Sequence, residues 1–111
     1  MLTSVMITQE QIQELTADIV RHFDPEKIIL FGSFAYGTPH SYSDADLLVV
    51  MPFEGNPLEK MAEMIYTVHP KIAIDLLVRT PEMVDRRIQI GDTFMGEIID
   101  KGKVLYDRHN A

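Results

Sequence analysis

The stretch Ile28-Ile29-Leu30-Phe31-Gly32-Ser33-Phe34-Ala35-Tyr36-Gly37, followed shortly by Ser43-Asp44-Ala45-Asp46-Leu47-Leu48-Val49, sets the plan of this chain. Lys27 to Phe31 is a β-branched and aromatic run cut off by Gly32, so it reads as a strand that feeds a tight loop. A glycine at that point lets the backbone turn sharply, and the amides and the Ser33 hydroxyl can then face a phosphate at the start of a short helix. An ordinary loop is the competing reading of Gly32 and Gly37. The two glycines have the spacing of a P-loop, but Thr38-Pro39 stands where Lys and Ser or Thr are required, so that motif is absent. Asp46 to Met51 is again strand-like and is closed by Pro52.

Outward from this centre, turn signals punctuate one continuous series of short elements. Thr8 and Gln11 have capping-box spacing, and Ile12, Leu15, Ile19, Val20 and Phe23 follow at helical intervals, which predicts a helix over residues 9–23 that stops at Asp24-Pro25. Asn56 caps a second helix with Pro57 at its first position; Leu58, Met61, Ala62, Ile65 and Val68 form its expected inward stripe, and His69-Pro70 ends it. Ile72 to Val78 reads as a third strand, Thr80-Pro81 opens another helix, and Gly91-Asp92 separates that from a last helix ending near Gly102. Lys103 to Tyr106 is a candidate short edge strand. This order predicts one domain over residues 1–111, of α+β class (an α/β two-layer arrangement), with a small mixed sheet and packed helices. The consecutive apolar residues in the strands imply a sheet covered on more than one side.

The 111 residues carry 10 Lys and Arg against 17 Asp and Glu, a formal charge of −7, with 46% hydrophobic residues and no cysteine. A real core is affordable at this size without staples. Disulfides and thiolate metal sites are excluded. The acidic balance disfavours direct binding of long nucleic acids, which rests on neutralising many phosphates, but not of a small phosphate ligand carried with metal ions. Apolar runs are too short for a membrane span, and the first residues lack a basic-then-apolar signal pattern, so a cytoplasmic location is expected.

The residues that need explaining are acidic. Asp75 lies mid-run in Ile72-Ala73-Ile74-Asp75-Leu76-Leu77-Val78, where a carboxylate is expected to be buried unless its charge is compensated. An exposed edge position, or pairing with Arg79 or Lys71, is the plainer alternative. Asp44 and Asp46, two apart at a strand entrance, point to one face. Turn chemistry by Ser41, Ser43 and Asp44 competes with that reading. Three carboxylates converging from neighbouring strands repel unless a cation sits among them, and hard oxygen donors suit magnesium or manganese. His22, His40, His69 and His109 have no ligand spacing, though His40 lies in the loop before the carboxylates; Arg86 and Arg87 read as a solvated face. The seven methionines fit an adaptable core or interface.

Gly32-Ser33, then Asp44-Ala45-Asp46, then Asp75 after a helix resembles the nucleotidyltransferase superfamily of DNA polymerase beta. The likeness is to its minimal branch, small stand-alone nucleotidyltransferase (MNT) domains often paired with HEPN-domain proteins in toxin–antitoxin pairs. The resemblance covers nearly the whole chain and implies that fold. It further implies that Asp44 and Asp46 hold two divalent ions, Mg2+ or Mn2+, one of which also holds a triphosphate, while Gly32 and Ser33 grip the phosphates. Asp75 would bind the other ion and help deprotonate an attacking hydroxyl. One departure is Tyr36, where the family commonly has Arg; a tyrosine still donates one hydrogen bond to a nucleotide but carries no charge. The implied reaction moves AMP from ATP to a hydroxyl. A chain this short has room only for a catalytic core, so the acceptor is expected to bring its own surface: by resemblance, a tyrosine of a HEPN-type RNase toxin. Alternatives are an antitoxin-like module that neutralises its partner by contact, and a homodimeric transferase for small molecules; homo- or hetero-oligomers are expected.

Overall fold

The computed structural model describes residues 6–110. The first residues, on which the reading against a signal segment partly rests, include 1–5 and so lie outside the described part. The chain runs α1 (Gln9–Phe23), β1 (Lys27–Phe31), α2 (Ser33–Tyr36), β2 (Ala45–Val50), α3 (Pro57–Val68), β3 (Ile74–Arg79), α4 (Pro81–Gln89), α5 (Thr93–Lys101) and β4 (Lys103–Asp107), with a closing 3-10 turn at Arg108–Asn110 that the sequence did not announce. No helix among the described residues is long and apolar enough to cross a membrane.

Local chemistry sets most of these boundaries. Thr8 and Gln11 form the reciprocal capping box of α1. Asn56, Thr80 and Asp92 cap α3, α4 and α5 with their side-chain oxygens, each contact contributing about 1 kcal/mol. The strands shift slightly from expectation: β2 begins one residue earlier, β3 covers Ile74–Arg79 in place of 72–78, and β4 extends to Asp107.

The four strands lie in the order β3-β2-β1-β4. β1 is antiparallel to both β2 and β4, and β2 is parallel to β3, so the sheet is mixed. Helices cover both faces, as the unbroken apolar runs of β1 and β2 require. On one face α1 and α3 pack over Ile28, Leu30, Leu47, Val49, Leu76 and Val78. On the other, α4 and α5 bring Val84, Met95 and Ile98 onto Ile29, Phe31, Leu48 and Val50.

The expected inward stripe of α3 is corrected. Met64 is its fully buried residue, Met61 and Val68 are partly buried, and Leu58, Ala62 and Ile65 face solvent. Apolar residues occupy more than one side of this helix, so periodicity alone could not select the side that meets the sheet.

Candidate active site

The register of the sheet assembles the site. β1 ends at Phe31, which lies opposite Asp46 near the start of β2, and Asp46 lies opposite Asp75 in the parallel pair. A single row across the sheet therefore reads Phe31, Asp46, Asp75. By strand alternation Asp46 shares a face with Leu48 and Val50, and Asp75 with Leu77, which is the α4–α5 side. Those helices leave this end of the face open. Phe94, in the first turn of α5, meets Phe31 edge-on with ring centroids 5.8 Å apart, marking the limit of the apolar cover.

Burial grades the carboxylates. Asp46 is partly buried, whereas Asp44 and Asp75 are exposed. The expectation of a buried Asp75 is thus corrected: β3 is an edge strand, and its second residue opens to solvent at the sheet's end. No ion pair joins Asp75 to Arg79 or Lys71 among the described residues. Asp46 carries the electrostatic consequence of the row. Partial burial, then the negative charges of Asp75 and Asp44, push its carboxyl from the ordinary 3.8 up to about 6.

The loop between β1 and β2 closes on this carboxylate. Gly32 has φ 72°, a conformation that side chains rarely adopt, and a Cβ there would overlap Asp46 Oδ2. The missing side chain is what lets backbone and carboxylate share that space. Ser33 then opens the one-turn helix α2, whose Ala35 and Tyr36 amides both donate to the Gly32 carbonyl at 3.0 Å. Gly37 closes the turn back against Ser33, where a Cβ would come within 2.8 Å of Ser33 Cα. Both glycines are therefore shaped by the site's own geometry. Tyr36 sits exposed at the end of α2 and makes no side-chain hydrogen bond among the described residues.

The turn reading of the approach to β2 holds for Ser43 but not for Asp44. Ser43 Oγ accepts from the His40 amide at 2.9 Å, and the Ser43 amide donates to the His40 carbonyl. His40 Nδ1 accepts from the Tyr42 amide at 3.1 Å, so His40 is engaged in the turn. Asp44 takes no part in these bonds.

Chemically the row is a set of hard oxygen donors with one proton-avid member, and a divalent cation would relieve the repulsion that raises Asp46. The donors fit such an ion by type. They are not pre-gathered into one: among the described residues no three carboxylate or imidazole side chains stand close enough to hold a metal. The site is also an open shelf. A cavity of about 610 Å³ lies under α4, lined by Ile29, Val50, Val84, Ile88 and Ile99, toward the opposite end of the same sheet face. The sequence did not disclose the Phe31–Asp46–Asp75 row or the packing of Gly32 on Asp46, since both arise from pairing between strands.

A mixed sheet with two acidic residues around the start of an inner strand, a third on its parallel neighbour, and a glycine-serine turn over them defines a nucleotidyltransferase-type domain. The polymerase beta nucleotidyltransferase family model matches residues 10–111, and the chain belongs to that family. Among solved structures it is similar to a Sulfolobus solfataricus protein classed by inference as a nucleotidyltransferase, at 21% identity and TM-score 0.66, over 92% of this chain and 82% of that one. It is also similar to a chain in a toxin–antitoxin complex with AMP-PNP, at 20% identity and TM-score 0.53, over 88% of this chain and 75% of that one. A third likeness is to a chain in the complex of tri-AMPylated Shewanella oneidensis HEPN toxin with MNT antitoxin, at 17% identity and TM-score 0.50, over 93% and 76%. No protein of curated function matches the sequence. At these identities the structural likenesses establish the fold.

Proposed function

We propose that this protein is an antitoxin of the MNT type that transfers AMP from ATP to a hydroxyl, the acceptor being a tyrosine of a HEPN-type RNase toxin. The observation that carries the reading is the Asp46–Asp75 register pair flanked by Asp44 and closed by Gly32. Family membership supports the transferase chemistry. The shared fold with chains from an AMPylated HEPN toxin–MNT antitoxin complex and an AMP-PNP complex supports the donor and the partner.

In this reading Asp44, Asp46 and Asp75 would hold two divalent ions, Mg2+ or Mn2+, which would neutralise the triphosphate and the negative charge on the oxygens of the transferring phosphoryl group. The chain's own groups do the positioning. Gly32 brings backbone against the phosphates, the Ser33 hydroxyl donates one hydrogen bond to a phosphate oxygen, and Tyr36 offers a neutral donor from the end of α2. Asp75, exposed at the rim, accepts the proton of the incoming hydroxyl. That oxygen bonds to the α-phosphorus, the bond to the β-phosphate breaks, and pyrophosphate leaves. An open shelf suits an acceptor that arrives on another protein's surface.

The deciding experiment incubates the chain with labelled ATP and magnesium, with its HEPN-type partner or with small alcohols, and reads adducts by intact mass. AMP on a partner tyrosine supports the reading. Tight binding that silences the partner with no adduct favours the contact-only antitoxin, for which the uncharged Tyr36 is the specific observation. Adducts only on the small alcohols favour a small-molecule transferase.

A further inference from the structure

β3 is an edge strand among the described residues, and its register with β2 is regular over all six residues. The other edge, β4, carries an irregularity opposite Ile28 and Ile29, the kind of bulge that blunts an edge against pairing. The carbonyls of Ala73 and Arg79 accept from the Ala45 and Met51 amides, at 3.0 Å each. Backbone groups of the odd-numbered residues therefore face β2, and those of Ile74, Leu76 and Val78 face outward. The guanidinium of Arg79 lies at this edge, its Nη1 donating to the outward Val78 carbonyl at 2.8 Å, a contact that an added strand would displace. Neither Arg79 nor Asp75 has an ion-pair partner among the described residues.

We propose that β3 pairs antiparallel with β3 of a second copy of this chain, in a register centred on Leu77, so that Arg79 of each copy stands opposite Asp75 of the other. The stereochemistry selects this register. An antiparallel partner must match outward-facing residues with outward-facing residues, which with at least three strand residues overlapping admits centring on Asp75, Leu76, Leu77 or Val78, and the first of these sets Asp75 against Asp75. Centring on Leu77 sets Leu76 against Val78 of the second copy as hydrogen-bonded pairs. It sets Leu77 against Leu77, and Asp75 against Arg79, as non-hydrogen-bonded pairs, where side chains approach most closely. Centring on Leu76 leaves Asp75 against a leucine, and centring on Val78 sets it against Pro81. Only the Leu77 register places opposite charges face to face on both sides of the axis.

The helix above the edge agrees. α3 packs on β3 beside α1, and Lys60 over the Phe23 ring, 6.0 Å from its centroid, marks the side that faces α1. At about 100° per residue, Leu58, Ala62 and Ile65 point away from that side, toward the β3 edge. Tyr66 adjoins them; it is 78% exposed and Leu58 is 66% exposed. The axis that joins the strands brings these two apolar stripes together.

One consequence rests on the transferase reading: Arg79 of the second copy supplies, beside the carboxylates, the cation that Tyr36 does not. The interface is tested independently of that chemistry. Sedimentation should give a dimer for the wild-type chain at roughly 100 μM, and Arg79→Asp, which faces like charges, should weaken dimerisation by about tenfold or more. The exchange Asp75→Arg with Arg79→Asp should restore it. Because the chain has no cysteine, Leu77→Cys alone should form a disulfide-linked dimer under mild oxidant, since opposed non-hydrogen-bonded residues match disulfide spacing. A wild-type monomer at that concentration, or a folded Leu77→Cys chain that stays uncrosslinked, overturns the proposal. The shared site is read by mixing Arg79→Ala with Asp46→Asn chains. Neither should transfer AMP alone, and the mixed dimer should recover activity in its one complete site. No recovery from a confirmed mixed dimer would place the cation's action within its own copy, and a fully active Asp46→Asn chain would instead overturn the transferase reading.

Discussion

Gly32 and Asp46 are the residues whose geometry is least replaceable. A methyl group at position 32 meets both an unfavourable φ of 72° and the Asp46 carboxylate. Gly32→Ala should therefore lower stability by about 1–3 kcal/mol and displace the carboxylate, reducing nucleotide binding sharply. Ser33→Ala, which removes one hydroxyl, should weaken binding by about 1 kcal/mol. Melting curves and calorimetry on both variants check this, and equal small effects would reduce the loop to a connection. Asp46 yields a pH prediction. Its carboxyl holds its proton up to about pH 6 in the folded chain, against 3.8 ordinarily, so between those values the folded state binds more protons than the unfolded. Stability accordingly falls as pH rises through that window and levels off above it. Asp46→Asn removes the penalty. Without metal it should melt above the wild type at pH 7 and no higher than it at pH 3.5, and a constant difference across that range would contradict the assignment.

At the scale of elements, α3 shows where packing must be seen to be known. Met64→Ala should cost about 2–5 kcal/mol in urea unfolding, because a fully buried side chain leaves a cavity. Leu58→Ala, at dilution where copies are separate, should stay within about 0.5 kcal/mol. Periodicity favours the opposite ranking, since Leu58 and Ile65 fit the expected stripe and Met64 does not. The capped ends of α1, α3 and α4 were legible, because caps are decided by neighbours in sequence. Strand position was not. An apolar run such as Ile74 to Val78 reads the same at a sheet's centre or edge, which is why Asp75 was expected to be buried and is exposed. The three carboxylates stand out by their positions in the strands, whereas Gly32, Ser33 and Tyr36 take a definite role only through the family resemblance. Their arrangement as a row, and the closure of Gly32 on Asp46, depend on pairings between segments distant in the chain.

For the whole molecule, the acidic row couples folding to ligands. If metal and ATP bind only the folded chain, together they should raise its melting temperature through mass action. Metal alone should do less, because the three carboxylates are not pre-gathered around one point and phosphate must complete the coordination. Asp75→Asn separates catalysis from binding and from structure. The side chain is exposed and unpaired within the described residues, so asparagine, nearly the same shape, leaves the strand's packing intact. It also removes one of the two charges that burden Asp46, so at dilution where copies are separate, metal-free stability should hold level or rise. AMP transfer should nevertheless fall by about 10²- to 10⁴-fold, the usual cost of losing a general base, with a further loss from poorer ion binding. Nucleotide binding should suffer less, since Asp44 and Asp46 retain their charges. Intact-mass assay of the partner beside metal-free melts reads all of these at once. Normal transfer would remove Asp75 from the chemistry, and a large loss of stability would show that its carboxylate supports the fold after all.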